Sequence, residues 1–207
     1  MRENARLFQE HVDEILTATE GGATSRDPEV VQSWLRCIND HSLDPEHKGE
    51  ARIVTEAVLK EHQQEAEDLL TTARFGMEDL YRRVNSMGYV LLLTDDKGVT
   101  VDFIGDEKVD RQLKRAGLYI GSEWSEGNAG TCGVGACLST GEPITIHQTD
   151  HFDMAHTPLS CTAAPIYRSN GKLMGVLDVS LLVSSSEKCS QALTLEVVKS
   201  CVRRIEL

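Results

Sequence analysis

No apolar run in the 207-residue chain approaches the ~20 residues that a membrane-spanning helix requires. The opening stretch, MRENARLFQEHVDEIL, is charged and amphipathic and lacks the apolar segment of a signal peptide, so a cytoplasmic location is expected. Positive charge is also scarce. Lys and Arg number 21 against 33 Asp and Glu, for a net charge of -12. Phosphate backbones and anionic membranes are bound chiefly through Lys and Arg, so no direct nucleic-acid or membrane partner is expected. Neither G-x-G-x-x-G nor G-x-x-x-x-G-K-[ST] occurs, which argues against a nucleotide cradle. Six cysteines in a cytoplasmic chain read as reduced, mostly buried thiols rather than as a disulfide framework.

Hydrophobic residues make up 40% of the chain, enough for a true core. Residues 3–19 repeat apolar positions with a helical period at Leu7, Phe8, Val12, Ile15 and Leu16. A second helix follows EGGATSR, with Asp27 placed to cap and Pro28 at the first turn. Proline is absent from 50 to 87, and this stretch reads as one long helix. Its stripe of Ala66, Leu69, Ala73, Met77, Leu80 and Val84 suits a helix pair, and a homodimer through this helix is the favoured expectation, although a helix lying on its own domain's sheet would show the same stripe.

At Gly88 the period changes to two. GYVLLLTDDKGVTVDFIGD reads as a hairpin turning at residues 95–98. Strands are expected in PITIHQ, SCTAAPIYR and KLMGVLDVSLLVS, with an amphipathic helix at the end. The expectation is an α+β arrangement: a helical N-terminal arm (1–87), a five- or six-stranded antiparallel sheet flanked by helices (88–185), and a terminal helix (186–207).

The chemistry concentrates in EWSEGNAGTCGVGACLSTGEPITIHQTDHF, residues 123–152. Cys132, Cys137, His147, His151, His156 and Cys161 are metal-ligand types, but their spacings form no second tight pair, and no metal or other cofactor is expected. A catalytic set built from Cys132 or Cys161 with His147 and Asp178 has no local sign of activation, so no enzyme activity is expected. What remains is a pocket for a small-molecule effector. Small residues leave space beside the sheet, and Tyr89, Trp124, His147, His151 and Phe152 supply aromatic walls with sparse polar groups.

Several motifs also carry a resemblance. SWLRC, LDP, GYVLLLTDDKG, FIGD, AGLYIGSEWSE, AGTCGVGACLSTGEPITIH, DHF, LSCTAAPI and GVLDVS, in this order, resemble the N-terminal region of the acetoin-catabolism regulators, a family of sigma-54-dependent transcriptional activators. The resemblance implies a GAF fold with a pocket on one sheet face. It also implies a sensory role, with a AAA+ ATPase and a DNA-binding domain as downstream partners in the full-length protein. Neither domain is found in this chain, which therefore looks like the isolated sensory region. Relatives usually carry Asn where this chain has Cys132, so the ligand is not fixed by the resemblance. On this reading Asn128, Thr131 and Cys132 line the loop side of the pocket and Cys161, Ala163 and Asp178 the sheet side. Acetoin, 2,3-butanediol or a related alcohol is the expected guest. A redox or metal sensor built on Cys132, Cys137 and Cys161 is the alternative.

Overall fold

The computed structural model describes residues 2–46, 51–106, 110–182 and 187–206. The starting point at residue 50 of the expected long helix, and the domain boundary expected at 185/186, lie outside the described residues.

The chain opens with two helices, α1 (Arg2–Thr19) and α2 (Pro28–Asn39). Pro28 begins α2 as expected. Asp27 stands at its N-cap but makes no side-chain cap; its carboxylate accepts instead from Lys188 Nζ at 2.7 Å. Two further helices follow, α3 (Glu56–Glu65) and α4 (Glu67–Val84). The single long helix expected over 50–87 is thus broken at Ala66, whose backbone leaves the helical region (φ -95, ψ 15). No glycine or proline marks that break.

The sheet comprises β1 (Tyr89–Asp95), β2 (Thr100–Ile104), β3 (Ile144–His147), β4 (Leu159–Tyr167) and β5 (Leu173–Leu182). Its order is β2-β1-β5-β4-β3, and every neighbouring pair is antiparallel. Short helices α5 (Asp110–Arg115), α6 (Glu126–Ala129) and α7 (Gly133–Thr140) lie between β2 and β3. The last element is α8 (Gln191–Ile205). Among the described residues, no helix is long and apolar enough to cross a membrane.

Strand parity decides which layer each residue joins. Leu91, Leu93, Leu177, Val179 and Ala164 point to one face, where they pack with Leu69, Ala73, Met77, Leu80 and Val84 of α4 and Val198, Cys201, Val202 and Ile205 of α8. The α4 stripe therefore faces its own sheet. The stripe read as a dimer seam is thus used within the chain, because covering this sheet face buries every one of its residues. Each large side chain so buried contributes roughly 1.5–3 kcal/mol. Gly76 lets α8 approach α4: a Cβ there would stand 2.9 Å from Ile205 Cγ1.

The opposite face carries Val90, Leu92, Cys161, Ala163 and Val176, covered by Leu113, Leu118, Trp124, Cys132, Val134 and Cys137. The arm forms an outer layer here. Ile15, Val30, Trp34 and Cys37 of α1 and α2 pack on Ala136, Ile146 and Phe152. Beyond β2 the sheet is extended by two single rungs. Residues 121–123 bond to Thr100 (Gly121 N to Thr100 O, 2.8 Å; Thr100 N to Ser122 O, 2.9 Å). Residues 52–54 then strap onto them (Glu123 N to Arg52 O and Val54 N to Gly121 O, both 2.9 Å).

Candidate functional site

The site is built on the covered face of β4 and β5. Its roof is the loop holding α6 and the start of α7, and one wall is the segment 148–156 between β3 and β4. The strap at 51–54 closes the edge. Gly133 explains why the roof sits so low: a Cβ there would be 2.8 Å from Cys161 Cβ and 2.9 Å from Asp178 Oδ1. Cys132 occupies the N-cap of α7. Its Sγ accepts from Gly135 N at 3.3 Å and donates to the Trp124 carbonyl at 3.1 Å. In this chain a thiol thus performs the capping task for which Asn is a strong choice.

Under this roof is a void of ≈ 10 Å³, about one water in size. Ala51, Arg52, Ser122, Glu123, Trp124 and His156 are among its walls, together with Asn128, Ala129 and Asp153. Three of these residues hold buried polar atoms with no hydrogen-bond partner: Ser122 Oγ, Trp124 Nε1 and His156 Nδ1. Most buried polar groups are paired, so three at one void call for an explanation. The Trp124 and His156 rings lie 5.1 Å apart, and the far edge of the indole abuts Gly117. Arg52, Asn128, Ala129 and Asp153 also border an open cleft of ≈ 660 Å³, lined besides by Leu43, Gly130 and Phe152. Void and cleft meet along Asn128 and Ala129.

Deeper in, His151 Nε2 lies 3.4 Å from Cys161 Sγ, while its Nδ1 faces the Gln148 carbonyl at 2.9 Å. Burial, then the neighbouring His156, lowers the His151 pKa to about 3. Burial likewise lowers His156, although the Asp153 carboxylate and the Ala129 backbone work the other way. Asp178 bonds Ser180 through Oδ2 and leaves Oδ1 unpartnered. Burial raises its pKa to about 7 against the opposing Ser180 bond. Burial also pushes the thiols of Cys132, Cys137 and Cys161 well up. The Cys161–His151 pair therefore has the reverse of the polarity that an activated thiolate–imidazolium pair needs. The same burial keeps the three thiols in their unreactive form, which does not favour a redox role. Among the described residues, no group of three His, Cys, Asp or Glu side chains is arranged to hold a metal ion.

The residues expected to line one pocket divide among three places. Trp124, Asn128, Cys132, His151, Cys161, Ala163 and Asp178 gather on the covered face. Tyr89 and His147 do not. Register puts Tyr89 opposite Leu181, Leu181 opposite Ser160, and Ser160 opposite His147, one row on the α8 face of the sheet. Tyr89 Oη accordingly donates to Gln191 Oε1 at 3.1 Å, and His147 Nδ1 meets Ser160 Oγ at 2.9 Å. Thr131 turns toward the arm, 2.8 Å from Ser33 Oγ, and Phe152 packs against that same arm at the outer cleft. Ser122, Ala129 and the strap at 51–54 had no sequence signal, since they reach the void only through tertiary pairing. His156 did carry one, as an imidazole within the cluster of Cys and His residues, a signal that points to a metal ligand rather than to a pocket wall.

Residues 56–207 match the sequence model of the GAF domain. The chain is 44% identical over 206 residues to the acetoin catabolism regulatory protein of Cupriavidus necator, covering 96% of this chain and 31% of the relative. It is 29% identical over 151 residues to the acetoin dehydrogenase operon transcriptional activator AcoR of Bacillus subtilis, covering 73% of this chain and 25% of the relative. The chain thus spans about a third or less of the length of these relatives, which are named as a catabolism regulatory protein and a transcriptional activator. Among solved structures, the E. coli DhaR(N)–DhaL complex contains a similar chain, with a TM-score of 0.74 at 20% identity over 86% of this chain and 61% of that one. That likeness bears on the fold.

Proposed function

The chain belongs to the GAF domain family, and from that premise we propose that it is the ligand-sensing region of a cytoplasmic bacterial transcriptional activator. Its effector is a small neutral metabolite: acetoin, 2,3-butanediol or a related alcohol or ketol. Ligand state is passed to a AAA+ ATPase and a DNA-binding domain in the rest of a sigma-54-dependent protein. The names and greater lengths of the acetoin regulators support this division.

The observation that carries the reading is the void beside Trp124, where Ser122, Trp124 and His156, each with a buried polar atom left unpartnered, stand together with Ala51, Ala129 and the polar side chains of Arg52, Glu123, Asn128 and Asp153. Buried polar groups are normally paired, and atoms left bare beside a void are ones that a bound guest can satisfy. A four-carbon guest is larger than the void, so binding includes displacement of a wall. The strap at 51–54 is the wall most easily moved, since it is held by backbone bonds and by the exposed Arg52 side chain against Glu123 at 3.3 Å and Asn128 at 3.0 Å. Binding selects the arrangement that fits the guest, and a coupling of ~1–3 kcal/mol to the flanking helices makes a working switch.

Calorimetric and thermal-shift titration of the 207-residue protein with acetoin, 2,3-butanediol and short alcohols tests the proposal. A true effector at 100 times its Kd adds ~2.7 kcal/mol to stability. Binding that survives unchanged in both Trp124→Ala and His156→Ala removes the void as the site. If no probe stabilises the protein, the sensor reading falls.

A further inference from the structure

The atoms around the small void set terms for what fills it while its walls are closed. Trp124 Nε1 only donates. Ser122 Oγ can donate or accept, and His156 Nδ1 does one or the other according to its tautomer. A cation would face the indole N–H. An anion would stand beside Glu123 and Asp153, with Arg52 already held by Glu123 and Asn128. An apolar filler would leave all three atoms bare at a desolvation cost. Water suits each of them, because its two protons and two lone pairs serve either tautomer of His156. Size agrees: the void measures ≈ 10 Å³, and one water needs ~10–15 Å³ on this measure.

We infer that one ordered water resides in this void as a fixed part of the fold, accepting from Trp124 Nε1 and bonded to Ser122 Oγ and His156 Nδ1. Three hydrogen bonds is the usual number for a buried water. The site is sealed, since Ser122, Trp124 and His156 are 1%, 4% and 5% exposed. Exchange with solvent therefore waits on movement of a wall. The strap supplies Ala51 and Arg52 of the lining, and two backbone bonds tie it across to Gly121 and Glu123, so its opening sets the lifetime of the water. The inference stands independently of the sensor reading. Within that reading, an entering effector expels this water, and a guest that does not renew its hydrogen bonds loses affinity.

The chain has two tryptophans, so the test carries its own control. Trp34 is also fully buried, but its Nε1 already donates to the Asp150 carbonyl at 2.9 Å. In the 15N-labelled 207-residue protein, water-selected NOE and ROE spectra should show a cross-peak between water and the Trp124 indole proton. Its sign should be opposite in the two spectra, the mark of a long-lived water, and the Trp34 indole should show no such peak. Trp124→Phe removes one of the two indole signals and so assigns both. The cross-peak should persist in Ser122→Ala, which lacks the hydroxyl proton able to relay exchange with solvent. Its loss in that variant assigns the signal to the hydroxyl and overturns the inference. Absence of a Trp124 cross-peak from the parent protein, which needs no variant to fold, overturns it as well.

Discussion

Lys188 Nζ stands 2.6 Å from Asp150 Oδ2 and ties the root of the last helix to the loop that walls the site. Lys188 lies in the single turn, Lys188–Ser190, that leads directly into α8. Asp150 closes the turn Gln148–Asp150, directly before His151 and Phe152. The same carboxylate accepts from Arg26 Nη1 at 2.9 Å and His147 N at 3.1 Å, and its backbone oxygen accepts from Trp34 Nε1 at 2.9 Å. Burial alone would raise the Asp150 pKa; the Lys188 ammonium and Arg26 guanidinium reverse this and hold it below the ordinary carboxylate value. Movement of the wall loop thus has a charged route to both the arm and the exit helix.

Lys188→Met, which keeps most of the stem and removes the charge, should cost only about 1 kcal/mol because Lys188 is partly exposed. Its larger effect should be on coupling. Effector affinity should change little, while the effector's protection of α8 amides, read by hydrogen exchange, should shrink. Undiminished protection of α8 would show that the signal travels another way. Asp150→Asn should lose about 1–3 kcal/mol, since it leaves two partly buried cations without their anion.

Glu126 is the clamp between arm and roof. It is 3% exposed, meets Arg36 through Nε at 2.8 Å and Nη2 at 2.7 Å, and accepts from Ser33 Oγ and Ser139 Oγ. Glu126→Ala should destabilise by about 3 kcal/mol, measured by denaturant unfolding, because Arg36 then loses its only close counter-ion among the described residues. Glu126→Gln keeps one of the two acceptor oxygens and should cost less. Equal losses in the two variants would mean that the lost charge accounts for the whole effect and that the retained oxygen contributes nothing.

Local chemistry made much of this fold legible, and tertiary choice accounts for what was not. Alternation between residues 89 and 104 is enough to place β1, β2 and their turn, and Pro28 is enough to start α2. Ala66 carries no helix-breaking signal, so the bend there is a consequence of fitting α3 and α4 to one sheet. An apolar stripe says that a helix is covered but does not name the cover. The stripe on α4 therefore reads equally well as a dimer seam or as a sheet contact, and α8 with the sheet takes it. Tyr89 and His147 have the same difficulty. Period two tells which residues share a face, but not which face holds the void. Trp124 and Asn128 border the void and belong to a run of small residues beside polar and aromatic ones that marks the region, whereas Cys161 and Asp178 lie outside its wall and Ser122 needs the strap to join it.

Gly133→Ala should test how closely the roof packs. The added methyl would fall 2.8 Å from Cys161 Cβ, which belongs to the sheet and yields little. Overpacking of this kind costs about 1–3 kcal/mol, a Tm loss of about 2–4 °C per kcal/mol for a chain of this size. Effector affinity should fall as well, since relief requires lifting the roof that carries Trp124. A variant as stable and as responsive as the parent would mean that the loop is looser than the packing indicates.

The stability profile with pH should have two opposed limbs. Asp178 has a folded pKa of about 7, above its ordinary value of 3.8. The folded state therefore holds that proton more firmly, and the contribution, full below about pH 4, is lost as pH rises through 7. The histidines act in the other direction. His151, at about 3, and His11 and His156, lowered mainly by burial, are held neutral in the folded protein, so the unfolded chain takes up protons first as pH falls through 6.5. Stability should consequently peak in the weakly acidic range, with the alkaline limb due to Asp178. Cys132 and Cys161 face that carboxyl as neutral thiols and Ser180 bonds it, so no cation offsets its charge there. Asp178→Asn removes the titration and nearly preserves the shape. Measured by denaturant unfolding at pH 5, 6.5 and 8, its stability relative to the parent should rise steadily with pH. Parallel curves for the two proteins would locate the alkaline limb elsewhere and would mean that Asp178 is ionised in the folded protein across the whole range.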